Sequence, residues 1–464
     1  MIQVLEQMNQ IVWGIPTLVL IIGAGIYLTV RTGGLQFYRF PKAIRIFCRS
    51  LRKTDTSSGG ESSFRALCTA LAATVGTGNI AGVAGAISIG GPGSIFWMWM
   101  CAFLGMVIKF SEAVLSVRYR TKSKHGEYLA GPMYVIQNGM GNSWRWLAVL
   151  YAFWGTIAAF GVGNGTQIHT VVVGINSVIT TFGGRQTRIG NLIIGIAFAV
   201  LIGIILLGGA KRIGIFAEGM IPFASITYIL LSLGVIILRS QNILGAFSQI
   251  INGAFSPEAV TGGMIGSSIQ ALRIGVSRGV FTNEAGMGTA GIAHGAANVT
   301  HPVEQGFMGI VEVFLDTIVI CTMTALVILC SGVPILYGTD QSVGLTVQAF
   351  SSVYGSWVKV LLAITMCSFA IATILGWGLY GIRCAQFVFG EGCWRVFVWL
   401  QISVTVISAL LSTKIVWILS ELVNGVMAIP NLIAVVILSP ELIRLLREYT
   451  SRTVGYRCYK RDVK

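Results

Sequence analysis

Apolar residues run through this chain in long stretches without an alternating period, and polar residues collect between the stretches rather than within them. A helix that crosses a bilayer needs roughly 20 mostly apolar residues. Eleven such stretches can be placed, centred near Leu20, Gly78, Met106, Gly163, Ala199, Thr227, Glu284, Thr317, Ala370, Val404 and Ala428. The longest polar stretches are the loop from Arg31 to Arg65 and the tail after Leu446, so no soluble domain of useful size is expected. The second and seventh stretches are each interrupted by a glycine pair, at Gly76-Thr77-Gly78-Asn79 and Gly286-Met287-Gly288-Thr289. Backbone that leaves the helix at membrane depth must lie inside protein or line a cavity. Paired breaks in corresponding segments are the plan of many secondary transporters.

Composition agrees with a membrane protein: of 464 residues 54% are hydrophobic and only 11% charged, with a mean hydropathy of +0.78. The net charge of +15 raises nucleic acid as a partner, but the basic residues gather in alternate loops rather than on one soluble face. Walking the stretches, 24 Lys and Arg fall on one side and five (Arg185, Arg188, Arg239, Lys359, Lys414) on the other. The positive-inside rule then puts the N-terminus outside and the C-terminus in the cytoplasm. Lys109, Arg273 and Arg278 remain within apparent spans. The stretch Ile11 to Val30 lacks a basic leader and a small-residue cleavage site, so it reads as a retained span. Nine cysteines contain no CxxC, and buried free thiols are expected. The expected location is the plasma membrane, a bacterial inner membrane, with the lipid bilayer as partner and no nucleic acid.

The breaks divide the chain into an extra span at 10–30, five spans at 65–239, five at 262–446, and a basic cytoplasmic tail at 447–464. An odd-numbered repeat must insert in inverted topology. The expected fold is thus an all-α polytopic membrane protein of about eleven helices, a five-plus-five inverted repeat with discontinuous spans two and seven. A faint repeat supports it, with Gly76, Gly78, Ala81, Gly82 and Ala84 matching Gly286, Gly288, Ala290, Gly291 and Ala293. Small residues that favour helix packing give the same pattern. The segment from Trp146 to Thr181 is too long for one upright span, so a tilted or bent helix is expected. Ile243 to Phe255 and Val343 to Tyr354 read as short interfacial helices.

Unpaired amides after the first break suit a carboxylate, and carbonyls before it suit a cation. Asn79 can serve a ligand or simply cap the new half-helix. Thr282, Asn283 and Glu284 precede the second break with the same two readings. A midplane carboxylate such as Glu284 must be paired, hydrated or protonated, and Arg273 or Arg278 can pair it. Lys109 and Glu112 read as a surface ion pair near the cytoplasmic end, and Glu312 and Asp316 share a face for a cation or proton, or for packing. Thr373 and Trp377 share a face of the ninth segment, where a hydroxyl and an indole can border a ligand or merely pack. The histidines His125, His169, His294 and His301 form no HExxH pair, and GxSxG and phosphate-loop motifs are absent, so no enzyme is expected.

The runs TALAATVGTGNIAGVAGAISIGGPGSIFWMWM, KFSEAVLSVRYR, GPMYVI and GVFTNEAGMGTAGIAHGAA resemble the alanine or glycine:cation symporter family over nearly the whole chain. That family belongs to the amino acid-polyamine-organocation superfamily. The resemblance implies the leucine transporter fold and import of alanine or glycine with sodium, without an organic cofactor. Carried onto these positions, it implies that the backbone at Gly78 and Asn79 holds the substrate carboxylate with help from Gln167. It further implies that Phe281, Met287, Thr373 and Trp377 border the pocket, and that sodium takes the carbonyls of Ala72 and Val75 with the Thr373 hydroxyl. Ile374 stands where the wider fold often has a second hydroxyl. A proton-coupled relative of the same fold, and a channel or substrate sensor, are the alternatives.

Overall fold

The computed structural model describes residues 2–52, 60–124, 126–263, 267–339, 341–411 and 413–462. His125 lies outside them. Nearly all of the described chain is helical, and its one small sheet pairs Thr121–Lys122 with Tyr128–Leu129. Among the described residues, seven helices are long and apolar enough to cross a membrane, or eight when the bent pair Ser63–Thr74 and Gly78–Gly90 is counted as one. The chain is therefore a multi-pass membrane protein.

The helices begin and bend where their residues require it. Ser62 caps Ser63–Thr74 by accepting the Arg65 amide, and Pro302 opens Pro302–Val313 at a position that needs no amide donor. The segment expected to tilt or bend does so: helix Arg145–Phe160 passes through a π turn at Gly161–Gly165 into Thr166–Thr181. The two short helices also form, at Ile243–Phe255 and Ser342–Tyr354. On Arg188–Leu206 the exposed Ile193, Ile196, Val200 and Ile204 lie on one face, as lipid contact demands.

The site lies where the broken helices cross. Ser268–Asn283 packs on Val83–Gly90, and Ala290–His294 packs on Ser63–Thr74, so each half-helix meets a half of the other. The 32-residue helix Val358–Phe389 backs both Ser63–Thr74 and the bent helix. On the opposite side Gly93–Tyr119 supports Ser268–Asn283 and Pro302–Val313.

Candidate functional site

The first break starts at Val75, which leaves the helix in an extended conformation (φ −76°, ψ 97°). The Gly76 amide turns to Asn79 Oδ1 (2.9 Å), while the Thr77 amide and hydroxyl donate to Gln167 Oε1 (3.3 and 2.9 Å). In a continuous helix these two amides would bond the carbonyls four residues back. The carbonyls of Ala72 and Ala73 thereby lose their helical donors. Asn79 spends its other end on Asp316, donating from Nδ2 to Oδ1 (2.6 Å). Asn79 is thus the clasp of the break, and both ends of its side chain are engaged within the protein.

Thr373 and Phe281 join Gln167 at this turn. A Cβ on Gly76 would stand 2.5 Å from Thr373 Oγ1, and one on Gly78 would stand 3.4 Å from Phe281 Cδ1. One turn beyond Thr373, Gly376 lies against the Ala73 backbone, where a Cβ would come within 2.8 Å of the amide nitrogen. Thr373 therefore rests against the segment from Ala72 to Gly76, and its hydroxyl is buried without a hydrogen-bond partner among the described residues. A buried hydroxyl normally finds a partner. An orphan hydroxyl packed against the turn where a half-helix ends is chemically compatible with a hard cation such as sodium, which half-helix carbonyls can also ligate.

The second break is built on left-handed backbone at Glu284 (φ 53°), Gly286 (95°) and Gly288 (75°). Glycine takes this region without steric cost. Glu112 Oε1 holds the turn, accepting from the Gly286 and Gly288 amides (2.9 and 3.1 Å) and from Asn431 Nδ2 (2.7 Å). Between these glycines, fully buried Met287 gives its carbonyl to the Tyr151 hydroxyl (2.9 Å). Glu284 accepts the Trp377 indole N–H at 2.7 Å and the Thr289 hydroxyl at 2.5 Å. Trp377 is fitted from behind by Gly163, whose Cβ would lie 2.2 Å from that of Trp377. Asp316 ties the breaks together, since its Oδ2 accepts from Thr317 (2.8 Å), which in turn accepts from Asn283 of the second break (3.2 Å).

Three charge pairings differ from expectation. Lys109 is not a surface partner of Glu112: it is fully buried, and its Nζ stands 3.3 Å from Glu312 Oε1. Gly309 allows this, because a Cβ there would come within 3.0 Å of the Lys109 carbonyl. Arg278 pairs with Glu421 at 2.8 Å and leaves Glu284 to neutral donors. Glu312 and Asp316 share a helix but diverge, Glu312 toward Lys109 and His294, Asp316 toward Asn79. Glu112, Asn431 and Tyr151 were not singled out as supports of the second break. The available signal was weak, a polar side chain inside an apolar run.

A latch joins the ends of the broken helices at the face predicted to be cytoplasmic. The Glu61 amide donates to the Ala296 carbonyl (3.1 Å), and the Asn298 amide donates to the Glu61 carbonyl (2.8 Å). Arg120 fastens the same strand by donating to the carbonyls of Gly295 (2.8 Å) and Ala297 (2.6 Å). Burial pushes the Glu61 carboxyl up to about 7, with Arg65 pulling the other way.

Two helices broken against each other, with engaged polar groups at the crossing, follow the plan of a secondary transporter, and similarity to known proteins puts this one in the class of sodium-coupled amino-acid symporters, not enzymes. The chain belongs to the sodium:alanine symporter family, whose profile matches residues 1–458. It is 40% identical over 442 residues to the sodium/alanine symporter AgcS of Methanococcus maripaludis, covering 94% of this chain and 95% of that protein. An uncharacterized transporter of Haemophilus influenzae is 39% identical over 454 residues, covering 97% and 96% of the two chains. The crystal structure of MhsT in complex with L-phenylalanine superposes with a TM-score of 0.60 over 82% of this chain and 90% of that one. At 13% identity that likeness is one of fold, the leucine transporter fold.

Proposed function

We propose that this protein imports a small neutral amino acid, alanine or glycine, together with sodium by alternating access. The observation that carries this reading is the orphan Thr373 hydroxyl beside the unwound segment. Sodium is held by Thr373 Oγ1 with the Ala72 and Val75 carbonyls. The substrate carboxylate is received by backbone at Gly78 and Asn79, with Gln167 yielding the Thr77 amide. Phe281, Met287 and Trp377 close the side-chain end. Sodium stabilises the substrate-ready shape of the first break, and coupling follows because the ligands favour particular gate states.

The same reading takes eleven spans in a five-plus-five inverted repeat, the N-terminus outside and the C-terminus in the cytoplasm of a bacterial inner membrane. Four repeat-derived helices rock against the scaffold. Its test is binding of radiolabelled alanine to purified protein in sodium or in potassium. Binding only in sodium is expected, with Thr373→Val weakening apparent sodium affinity by about tenfold or more, roughly 1.4 kcal/mol. Equal binding in potassium would overturn the sodium assignment and favour proton coupling.

Selectivity provides a second check. One methylene changes discrimination by about 1–3 kcal/mol in an apolar pocket, and steric overlap adds to it. Alanine and glycine are accepted, serine weakly, leucine not. Met287→Ala and Trp377→Ala should admit larger side chains in competition assays, and unchanged selectivity in both would remove these residues from the pocket.

A further inference from the structure

Four carboxyl groups are buried together beside the second break: Glu112 (2% exposed), Glu284 (1%), Glu312 (0%) and Asp316 (0%). The cationic side chains among them are few. Lys109 faces Glu312, and His294 Nε2 meets the other Glu312 oxygen at 2.7 Å. Among the described residues, Glu284, Asp316 and Glu112 have neutral donors only: Trp377 and Thr289, Asn79 and Thr317, and Asn431 with two amides. Ionised carboxylates in excess are costly at membrane depth, and buried acids there commonly mark proton pathways.

Unpartnered atoms collect at the same place. Glu112 Oε2 and the Tyr380 hydroxyl are buried without a hydrogen bond among the described residues, whereas Lys109 Nζ and Glu312 Oε1 face each other as an ion pair at 3.3 Å. Lys109 sits within electrostatic reach of Glu112, Glu284 and Glu312. An ammonium so placed opposes a metal cation and a proton alike, but a metal cation also needs a shell of several oxygens, whereas a proton goes directly onto one. Glu112 Oε2 is the oxygen with no donor and no ammonium contact, while its Oε1 already carries three donors.

We propose that Glu112 is a proton-binding group, separate from the sodium site, whose protonation loosens the clamp on the second break during the transport cycle. The proton adds to Oε2, so Oε1 changes from a carboxylate to a neutral carbonyl acceptor for the Gly286 and Gly288 amides. Hydrogen bonds to an ionised acceptor are roughly twice as strong as neutral ones. Groups that bias the site from the surrounding elements are Lys109 on its own helix, Glu284 on the break, His294, Glu312 and Asp316 on the following helices, and Tyr151 and Tyr380 opposite. The Ile243–Phe255 helix carries no ionisable side chain, and Asn431 is the residue that Thr413–Ile437 presents to Glu112.

The inference rests on the transport reading only for its consequence, so the test has two arms. Infrared difference spectra of the purified protein are recorded from about pH 8.5 to about pH 5.5, above the ordinary glutamate value of about 4.3. A protonated-carboxyl band should appear on acidification, disappear in Glu112→Gln and remain in Glu304→Gln. If Glu112→Gln does not yield folded protein, Asn431→Ala must move the midpoint of that band. No band, or a band unchanged in these clamp variants, would overturn the proposal. In the second arm, apparent sodium affinity should weaken on acidification, by up to about tenfold per pH unit for one linked proton, and Glu112→Gln should flatten the dependence. A failure of sodium-dependent binding alone sinks the sodium reading and leaves the infrared result standing; sodium binding with an equal pH profile in wild type and Glu112→Gln sinks the proton site alone.

Discussion

Gly163 sets the position of Trp377, and through it the environment of Glu284. A methyl group there would meet the Trp377 Cβ at 2.2 Å, a contact that only separation of two helices relieves. Gly163→Ala should abolish uptake, whereas Gly23→Ala, whose Cβ meets nothing within 4 Å, should transport as wild type. Trp377→Phe keeps the ring but removes the donor to Glu284. Leaving a buried acceptor unsatisfied costs about 1–3 kcal/mol, so a lower thermal unfolding midpoint in detergent is expected. Asn79 and Glu284 stood out in the sequence because polar side chains beside glycine in an apolar run are conspicuous. The clamp by Glu112 did not, since its partner Asn431 is 319 residues away. Lys109 misled for a related reason. Its neighbour three residues on looks like an ion-pair partner, yet the close approach at Gly309 supplies Glu312 instead.

At the level of elements, both breaks were legible because two glycines interrupt otherwise continuous apolar helices. Their mechanics were not. The first break is held by Asn79 folding back on Gly76, whereas the second depends on a carboxylate from a different helix. The bend at Gly161–Gly165 was legible from excess length, and its role as the seat of Trp377 required the packed helix behind it. The latch at Glu61 was invisible, because a parallel bridge between two short loops leaves no pattern in either. Its pH response follows from burial: the latched state holds the Glu61 proton with a value near 7 against an ordinary 4.5. Between those values the latched state binds more protons than the open one, so latching weakens as pH rises through that window and is level above it. Crosslinking between cysteines at the predicted cytoplasmic ends should therefore decline from acid toward neutral pH, and Glu61→Gln should remove the dependence.

Across the whole molecule, the arrangement sets a crossing of half-helices against supports that hold it from two sides. Val358–Phe389 brings Thr373 and Trp377 to the two breaks, and Gly93–Tyr119 brings Lys109 and Glu112 to the second. Asp316 couples the breaks, so a change in one reaches the other through Asn79 on one side and Thr317 and Asn283 on the other. Such a crossing can respond to a cation at the first break by re-forming the second. That is the physical content of coupling, a differential affinity for two arrangements. The proposed coupling makes sodium the driver of amino-acid accumulation. Its most direct test is uptake of radiolabelled L-alanine into proteoliposomes under an inward sodium gradient, compared with an equal potassium gradient. Concentrative uptake only with sodium is predicted; equal accumulation under either gradient, or none by correctly folded and oriented protein, would contradict it.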